Sequence, residues 1–476
     1  MKIRSFLLKN KSLKQVFVKN TIWLFGSTII THTLTIVLGI LIARFFGAAN
    51  YGLLGFAISF TGLFAIFSEL GLHFIIIREL SQNQEAKNEI GALLWLKLFL
   101  GIFTFLIITA CSFFLEDASV KPLVIIFAAV TCLNSIVLFF TVIFRALQRM
   151  EYVALIEIIQ SIIIFIGGLL VIFLHPLITL VAFAYLLSAF FSFFTVIVIA
   201  KHLSVLPRPV LDIKIIKKYL FLSWPLALST VFTIVYVQID IVMMGFLKMM
   251  TEVGWYQAAY KIINIVVIPG NIIRTVFYPA ISFAYKQKKE SFQKIIGTFF
   301  DILTFFALPV VVGGFLLSHD IIFFIYGNEF LSSILAFKIL IFSIIPILFS
   351  MFVDSVLIAA CRQKIIICAT GITTLINIIL NLLLIPRYSL YGAAIATVTS
   401  YAFYFLFGFI ILRKINIKLN INSVIISSLA TLIMGVFINL DLIQSINIIF
   451  QIIISGFLYI SMFFLLRFAF GIIMNK

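Results

Sequence analysis

Charge is scarce in this chain: Asp, Glu, Lys and Arg together make up 11% of its 476 residues. A soluble domain carries about 25%. So little charge cannot build a water-facing surface when 63% of the residues are hydrophobic and the mean hydropathy is +1.25. The chain is therefore mostly embedded in a membrane. Acidic residues are scarcer still, 17 against 34 basic ones, for a net charge of +17. In a soluble protein that excess would suggest nucleic acid. Here no basic domain is large enough to form such a surface, and Lys/Arg-rich cytoplasmic loops are its simpler source, so nucleic acid is set aside as a partner.

Other absences narrow the function. There are four cysteines (Cys111, Cys132, Cys361 and Cys368), with neither metal-site nor CxxC spacing, and they read as small buried hydrophobes. No GxxxxGK[ST] stretch occurs, which argues against an ATP-driven pump on this chain alone. No loop is long enough for a soluble domain, and the longest cytoplasmic joins, near 201–218 and 285–294, are short and basic. No nucleophile–base pair stands out, and no catalytic residue, metal or cofactor is expected. Residues 1–20 form a basic amphipathic segment ahead of a span-length run, unlike a cleavable signal peptide.

What is present is about fourteen apolar runs long enough to cross a bilayer. They fall at 21–43, 52–72, 91–114, 122–144, 153–174, 177–200, 219–245, 254–280, 296–317, 332–360, 365–385, 390–412, 422–440 and 446–468. The joins at 72–90 and 318–331 leave room for a half-buried helix extending the neighbouring span. With the N-terminus inside, most Lys and Arg fall on one side of the membrane. They include Lys2, Arg4, Lys9, Lys11, Lys14 and Lys19, then Lys87, Arg145 and Arg149, later Lys286 and Lys288, and finally Arg413, Lys418 and Lys476. Both termini are thus expected in the cytoplasm.

The chain is organised around residues 223–282, which read as a motif used twice. Gly254 to Ala259 there and Gly52 to Ala57 are both five-residue steps, Trp224 and Trp23 sit at similar distances ahead of those glycines, and Tyr51-Gly52 follows Arg44 and Gly47. A second match pairs Ala146-Leu147-Gln148-Arg149 with Ala360-Cys361-Arg362-Gln363. The chain is accordingly expected to be an all-α membrane protein of two pseudo-symmetric six-helix lobes, 21–205 and 206–412, followed by two further helices in 413–476. Duplicated membrane halves of this kind are a transporter architecture.

Asn381-Leu382-Leu383-Leu384-Ile385-Pro386-Arg387-Tyr388 followed by Gly392-Ala393-Ala394-Ile395-Ala396-Thr397 resembles the bacterial polysaccharide (Wzx-type) flippases of the multidrug/oligosaccharidyl-lipid/polysaccharide exporter superfamily. Ala43-Arg44-Phe45-Phe46-Gly47, Arg78-Glu79-Leu80 and the stretch from Ile239-Asp240 through Gly254-Trp255-Tyr256 are similar to the same family. The resemblance covers essentially the whole chain. It implies a central V-shaped cavity between the lobes. It also implies movement of an undecaprenyl-diphosphate-linked oligosaccharide to the outer leaflet of the bacterial cytoplasmic membrane, with a polysaccharide polymerase and a chain-length regulator as further partners.

Carrying a diphosphate and sugars past hydrocarbon calls for a cationic, polar path, and ionisable residues inside spans are costly unless they serve one. Lys261, Arg274, Arg44, Lys97 and Arg78 are the candidate substrate-binding cations. Arg274 is also placed to snorkel, Arg44 to anchor headgroups and Arg78 to pair with Glu79. Asp240, Glu69 and Glu157 are candidates for coupling or gating. Asp240 is open to three roles: an ion pair with Lys261, an ion-coupling carboxylate, or a polar staple between helices. Asp301 and Asp354, nearer span ends, read as structural, and His73 reads as an interfacial residue or a pH sensor. Trp255, Tyr256 and Tyr260 are candidates for stacking on sugars. A lipid II flippase, an ion-coupled drug antiporter and a membrane glycan polymerase or ligase are the alternative functions.

Overall fold

The computed structural model describes residues 13–82, 89–285, 289–414, 417, 419 and 421–474. Lys2, Arg4, Lys9, Lys11, Lys87, Lys286, Lys288, Lys418 and Lys476 lie outside them. Among the described residues all regular structure is helical. In chain order the helices are α1 (Leu13–Glu69), α2 (Leu72–Gln82), α3 (Ile90–Ser112), α4 (Val120–Ala146), α5 (Met150–Leu174), α6 (Ile178–His202) and α7 (Ile213–Phe246). They continue with α8 (Met250–Tyr285), α9 (Lys289–Leu316), α10 (Ser318–Tyr326), α11 (Ser333–Leu340), α12 (Ile344–Ala359) and α13 (Gln363–Lys414). The last are α14 (Ile421–Ile438), α15 (Asp441–Gln444) and α16 (Ile448–Met474).

Among the described residues, twelve helical stretches are long and apolar enough to cross a membrane, with α11 and α12 acting as one. Two of them, α1 and α13, are each broken at one residue with non-helical dihedrals, Gly47 (φ 76°) and Ser389 (φ 51°). Counting their arms separately gives the fourteen spans that the apolar runs predict. At Ser389 the chain folds back sharply, because a Cβ at Gly392 would lie 2.4 Å from the carbonyl oxygen of Leu384. In an unbroken helix residues eight apart are about 12 Å apart along the axis. Pro386 lies just ahead of this break, where it weakens the helix ladder. The joins at 72–90 and 318–331 hold separate short helices, α2 and α10, instead of extensions of the spans before them.

Several spans end in the same way. Gln148, Ser204, Lys248 and Cys361 all take left-handed dihedrals two residues beyond a helix end. In each case that residue's own amide donates three residues back, as from Gln148 to Arg145 (3.0 Å), and the next amide five back, as from Arg149 to the Phe144 carbonyl (2.9 Å) and from Arg362 to that of Leu357 (2.8 Å). This double bond pattern satisfies carbonyls that a helix end leaves open. Gln148 and Cys361 belong to the two stretches matched in the sequence, so those stretches make identical corners. The corner also corrects the reading of the cysteines: Cys361 and Cys368 are exposed, and Cys111 and Cys132 are half-buried. Cys361 sits outside the packed core because a helix stops there.

Contacts group residues 1–254 into one unit and 255–476 into another. The expected join near residue 205 falls inside the first unit because α7 packs on α1, α2 and α3. Asp212 caps α7, its carboxylate accepting from the amides of Lys214 (2.9 Å) and Ile215 (3.2 Å).

Within the first unit, Gly52 and Gly254 meet backbone to backbone. A Cβ at Gly52 would lie 1.8 Å from the Met250 carbonyl oxygen, and one at Gly254 would lie 2.0 Å from that of Ala48. Lipid supplies no hydrophobic drive between helices, so such close approach of small residues is what holds them together. The repeated glycines of the sequence are thus a packing device. In the second unit, α14 and α16 pack on each other and on α9 through Ile426, Met434, Tyr459 and Phe463.

Candidate functional site

Within the largely apolar interior of the first unit lie several buried polar and charged side chains, most of them paired. Lys19 of α1 is fully buried, with its ammonium 2.9 Å from Glu151 of α5, which also faces Arg149 at 3.4 Å. One step along, Asn20 donates to Gln148 (3.0 Å). Farther in, Glu157 accepts from Ser27 (2.9 Å) and Arg145 (3.3 Å), and Gln160 donates to Asn134 (3.1 Å). α1, α4 and α5 therefore share a ladder of polar rungs. Each rung satisfies groups that hydrocarbon would not.

A second cluster lies at the end of the second arm of α1. Lys97, 2% exposed, donates to Glu69 (2.5 Å) and to the Ser68 carbonyl (2.7 Å). Lys97, expected among the lumen cations, is thus tied to an acid expected to serve coupling. His73 Nδ1 stands 3.8 Å from the other oxygen of the Glu69 carboxylate. Arg78 is exposed and doubly bonded to Glu79 (2.8 and 3.1 Å), the pairing foreseen for it. Arg44 is exposed near the Gly47 break, and Asp240 is buried in α7.

The remaining candidates lie in the second unit. Lys261 and Arg274 are half-buried on α8. Arg274 lies within electrostatic reach of Asp354 on α12 and of Tyr404 on α13, and the Tyr404 hydroxyl donates to Asp354. Asp354, read from the sequence as structural, is therefore part of a charged cluster with one of the predicted cations. Its partner Tyr404 had no local signal, since nothing in an apolar run shows which tyrosine faces an acid. Trp255 donates to the Glu329 carbonyl (2.9 Å). Tyr256 is 1% exposed, hydrogen-bonded to Thr397 (3.1 Å) and stacked on Tyr260 at 5.8 Å. Deeper still, Asn377 and Asn381 are fully buried and bonded to each other (3.1 Å). Asp240 and Lys261, considered as a pair, fall in different units.

The second unit also contains an apolar groove of about 420 Å³. Val266 of α8, Pro309 and Gly313 of α9, Met434 of α14, and Gly456 and Tyr459 of α16 line it. The Tyr459 hydroxyl fixes one wall, donating to the Phe305 carbonyl (2.8 Å) while bonded to Ser427 (2.7 Å). Its size is that of a ligand pocket, which typically encloses about 300–1,000 Å³. Among the described residues no group of His, Cys, Asp and Glu is arranged to hold a metal.

Among the described residues, twelve membrane-length helical stretches, two of them broken into paired arms, with buried polar pairs and an apolar groove, define an integral membrane protein of transporter architecture. The chain belongs to the polysaccharide biosynthesis protein family, whose profile matches residues 17–284, and the MatE profile matches residues 225–383. It is 25% identical over 170 residues to the probable low-salt glycan biosynthesis flippase Agl15 of Haloferax volcanii, a match covering 35% of this chain and 36% of that protein. The uncharacterized membrane protein MJ1068 of Methanocaldococcus jannaschii is 23% identical over 500 residues, 97% of each chain. Among solved structures, the inward closed conformation of the lipid II flippase MurJ superposes with a TM-score of 0.78 at 19% identity, covering 94% of this chain and 99% of that one. The fold is thus that of the superfamily suggested by the sequence resemblance.

Proposed function

We propose that this protein moves a polyprenyl-diphosphate-linked oligosaccharide across a membrane by alternating access. The apolar groove beside α14 and α16 carries this reading. A soluble or small amphipathic substrate needs no such channel at the level of the hydrocarbon, whereas a long prenyl tail must stay in an apolar environment while its headgroup moves. Half-buried Lys261 and Arg274 are the cations assigned to the diphosphate, with Arg44 a further contact; Arg suits paired phosphate oxygens and Lys a single point charge. Asp354 and Tyr404 hold Arg274 in place until phosphate competes for it. The lobes 21–205 and 206–412 are the moving bodies, and both termini face the cytoplasm of a bacterial cell. An undecaprenyl carrier, with polymerase and chain-length regulator partners, fits this setting.

The test is translocation of a fluorescent polyprenyl-diphosphate oligosaccharide in reconstituted vesicles. Lys261→Ala and Arg274→Ala should each reduce the rate at least tenfold with insertion unchanged. Gly456→Trp, which fills the groove, should do the same for a full-length tail and spare a two-isoprene analogue. Normal rates in all three variants would refute the assignment. The likeness to the MurJ fold favours a lipid II substrate as the second reading, and loss of cell-wall precursor transport with surface glycan intact would establish it. The two spans α14 and α16, which build the groove wall, count against a drug antiporter.

A further inference from the structure

Among the buried titratable groups that the transport reading does not use, one cluster sits at a bend in the fold. It lies where the second arm of α1 gives way to α2, at an elbow formed by Leu70 (φ 43°) and Gly71 (φ 68°). This elbow rests on α7. A Cβ at Gly71 would lie 2.7 Å from the Ala227 amide nitrogen and 3.1 Å from the Ser223 carbonyl oxygen, so backbone touches backbone. Pro225 lies between those two residues. Having no N–H, it leaves α7 one ladder bond short and easier to bend there.

Glu69 and His73 flank the elbow, and Lys97 reaches it from α3. One Glu69 oxygen is taken by Lys97, while the other faces His73 Nδ1 at 3.8 Å. That nitrogen is buried and has no hydrogen-bond partner. The surrounding charges balance in the neutral-histidine state. Lys97 pairs with Glu69, and Arg145 of α4 pairs with Glu157 of α5. On α2 itself Arg78 pairs with Glu79. On α7 the Tyr219 hydroxyl donates to Glu89 (2.7 Å), which also pairs with Lys218 (2.8 Å).

We propose that Glu69, His73 and Lys97 form a proton-binding site whose occupancy decides whether the elbow stays seated on α7. A proton arriving at His73 leaves one uncompensated positive charge in a buried cluster. The same proton turns Nδ1 into a donor aimed at the carboxylate that Lys97 already holds. Glu69 then has two cations competing for it at the residue where the helix ends. Sharing the carboxylate loosens its hold on Lys97, and with it the seat of the elbow on the Pro225 bend. The direction of titration agrees. Burial first, then Lys97 and Arg145, hold the imidazole below its ordinary range. A histidine depressed in this way favours the seated state at high pH. That state is penalised progressively as pH falls from about 6.5 through the lowered value.

The test uses the full-length protein in lipid nanodiscs, its four cysteines replaced and spin labels placed at Gln82→Cys and Lys217→Cys, both exposed positions at the ends of α2 and α7. Lowering the pH from about 8 to about 5 should shift the measured distance by roughly 2–5 Å, the scale of helix displacements in switching proteins. His73→Gln should hold the distance at its high-pH value throughout. Labelled-histidine NMR on the unaltered protein should show the His73 imidazole titrating below the ordinary histidine range. A distance that ignores pH, a response that survives His73→Gln, or a His73 resonance with an ordinary midpoint would each overturn the proposal. No substrate is involved, so failure here leaves the transport reading intact, and loss of that reading leaves this site intact.

Discussion

Glu151→Ala is expected to destabilise the protein by about 3–5 kcal/mol, the cost of removing one partner of a buried ion pair. Lys19 would keep an ammonium with 0% exposure while losing the carboxylate 2.9 Å away, and Arg149 would lose its neighbour as well. Coulomb attraction at that depth is large, but the desolvation of both ions largely cancels it. The pair is therefore costly to break and cheap to replace. Accordingly, the double variant Lys19→Met/Glu151→Met should recover most of the loss, because it removes both charges and keeps the volume. Half-melting temperatures in detergent, followed by size-exclusion fluorescence, distinguish the cases. Equal losses in the single and double variants would mean the charges are not what matters.

Gly254→Ala is the second large effect, with an expected cost of about 3 kcal/mol, at the upper end of overpacking penalties. The added methyl would sit 2.0 Å from the carbonyl oxygen of Ala48, a backbone atom that cannot swing aside. Gly52→Ala should behave alike, against the Met250 carbonyl at 1.8 Å. Gly297 in α9 provides the control, since a Cβ there meets nothing within 4 Å. Gly297→Ala should be neutral or gain about 0.5–1 kcal/mol, as expected when a helix loses a flexible glycine. The same melting assay reads all three. A Gly254→Ala protein as stable as Gly297→Ala would show that the two backbones do not meet.

The spans were readable in the sequence because hydrocarbon accepts only runs of apolar residues some 20 long, and the charges between them mark the ends. The repeated glycines were readable too, since their spacing survives in both copies, though not that they touch each other's neighbours. Pairing was harder to see. Lys97 reads as a lone cation within an apolar run; the acid that neutralises it lies 28 residues away, at a helix end. Asp354 and Tyr404 are separated by 50 residues, and no local pattern joins them. The groove was invisible for a related reason. Its lining is as apolar as the lipid-facing surface, so composition cannot separate an inner wall from an outer one.

The hairpin in α13 turns at a single serine, and there is no spare length on either side. An inserted or deleted residue beside Ser389 has nowhere to be absorbed. It would rotate the arm that follows by about 100° and slide it by about 1.5 Å. Ala393, Ala396, Thr397 and Ser400, now buried, would swing toward the acyl chains. Length variation among relatives should therefore be absent at this point, and an epitope tag inserted here should be rejected.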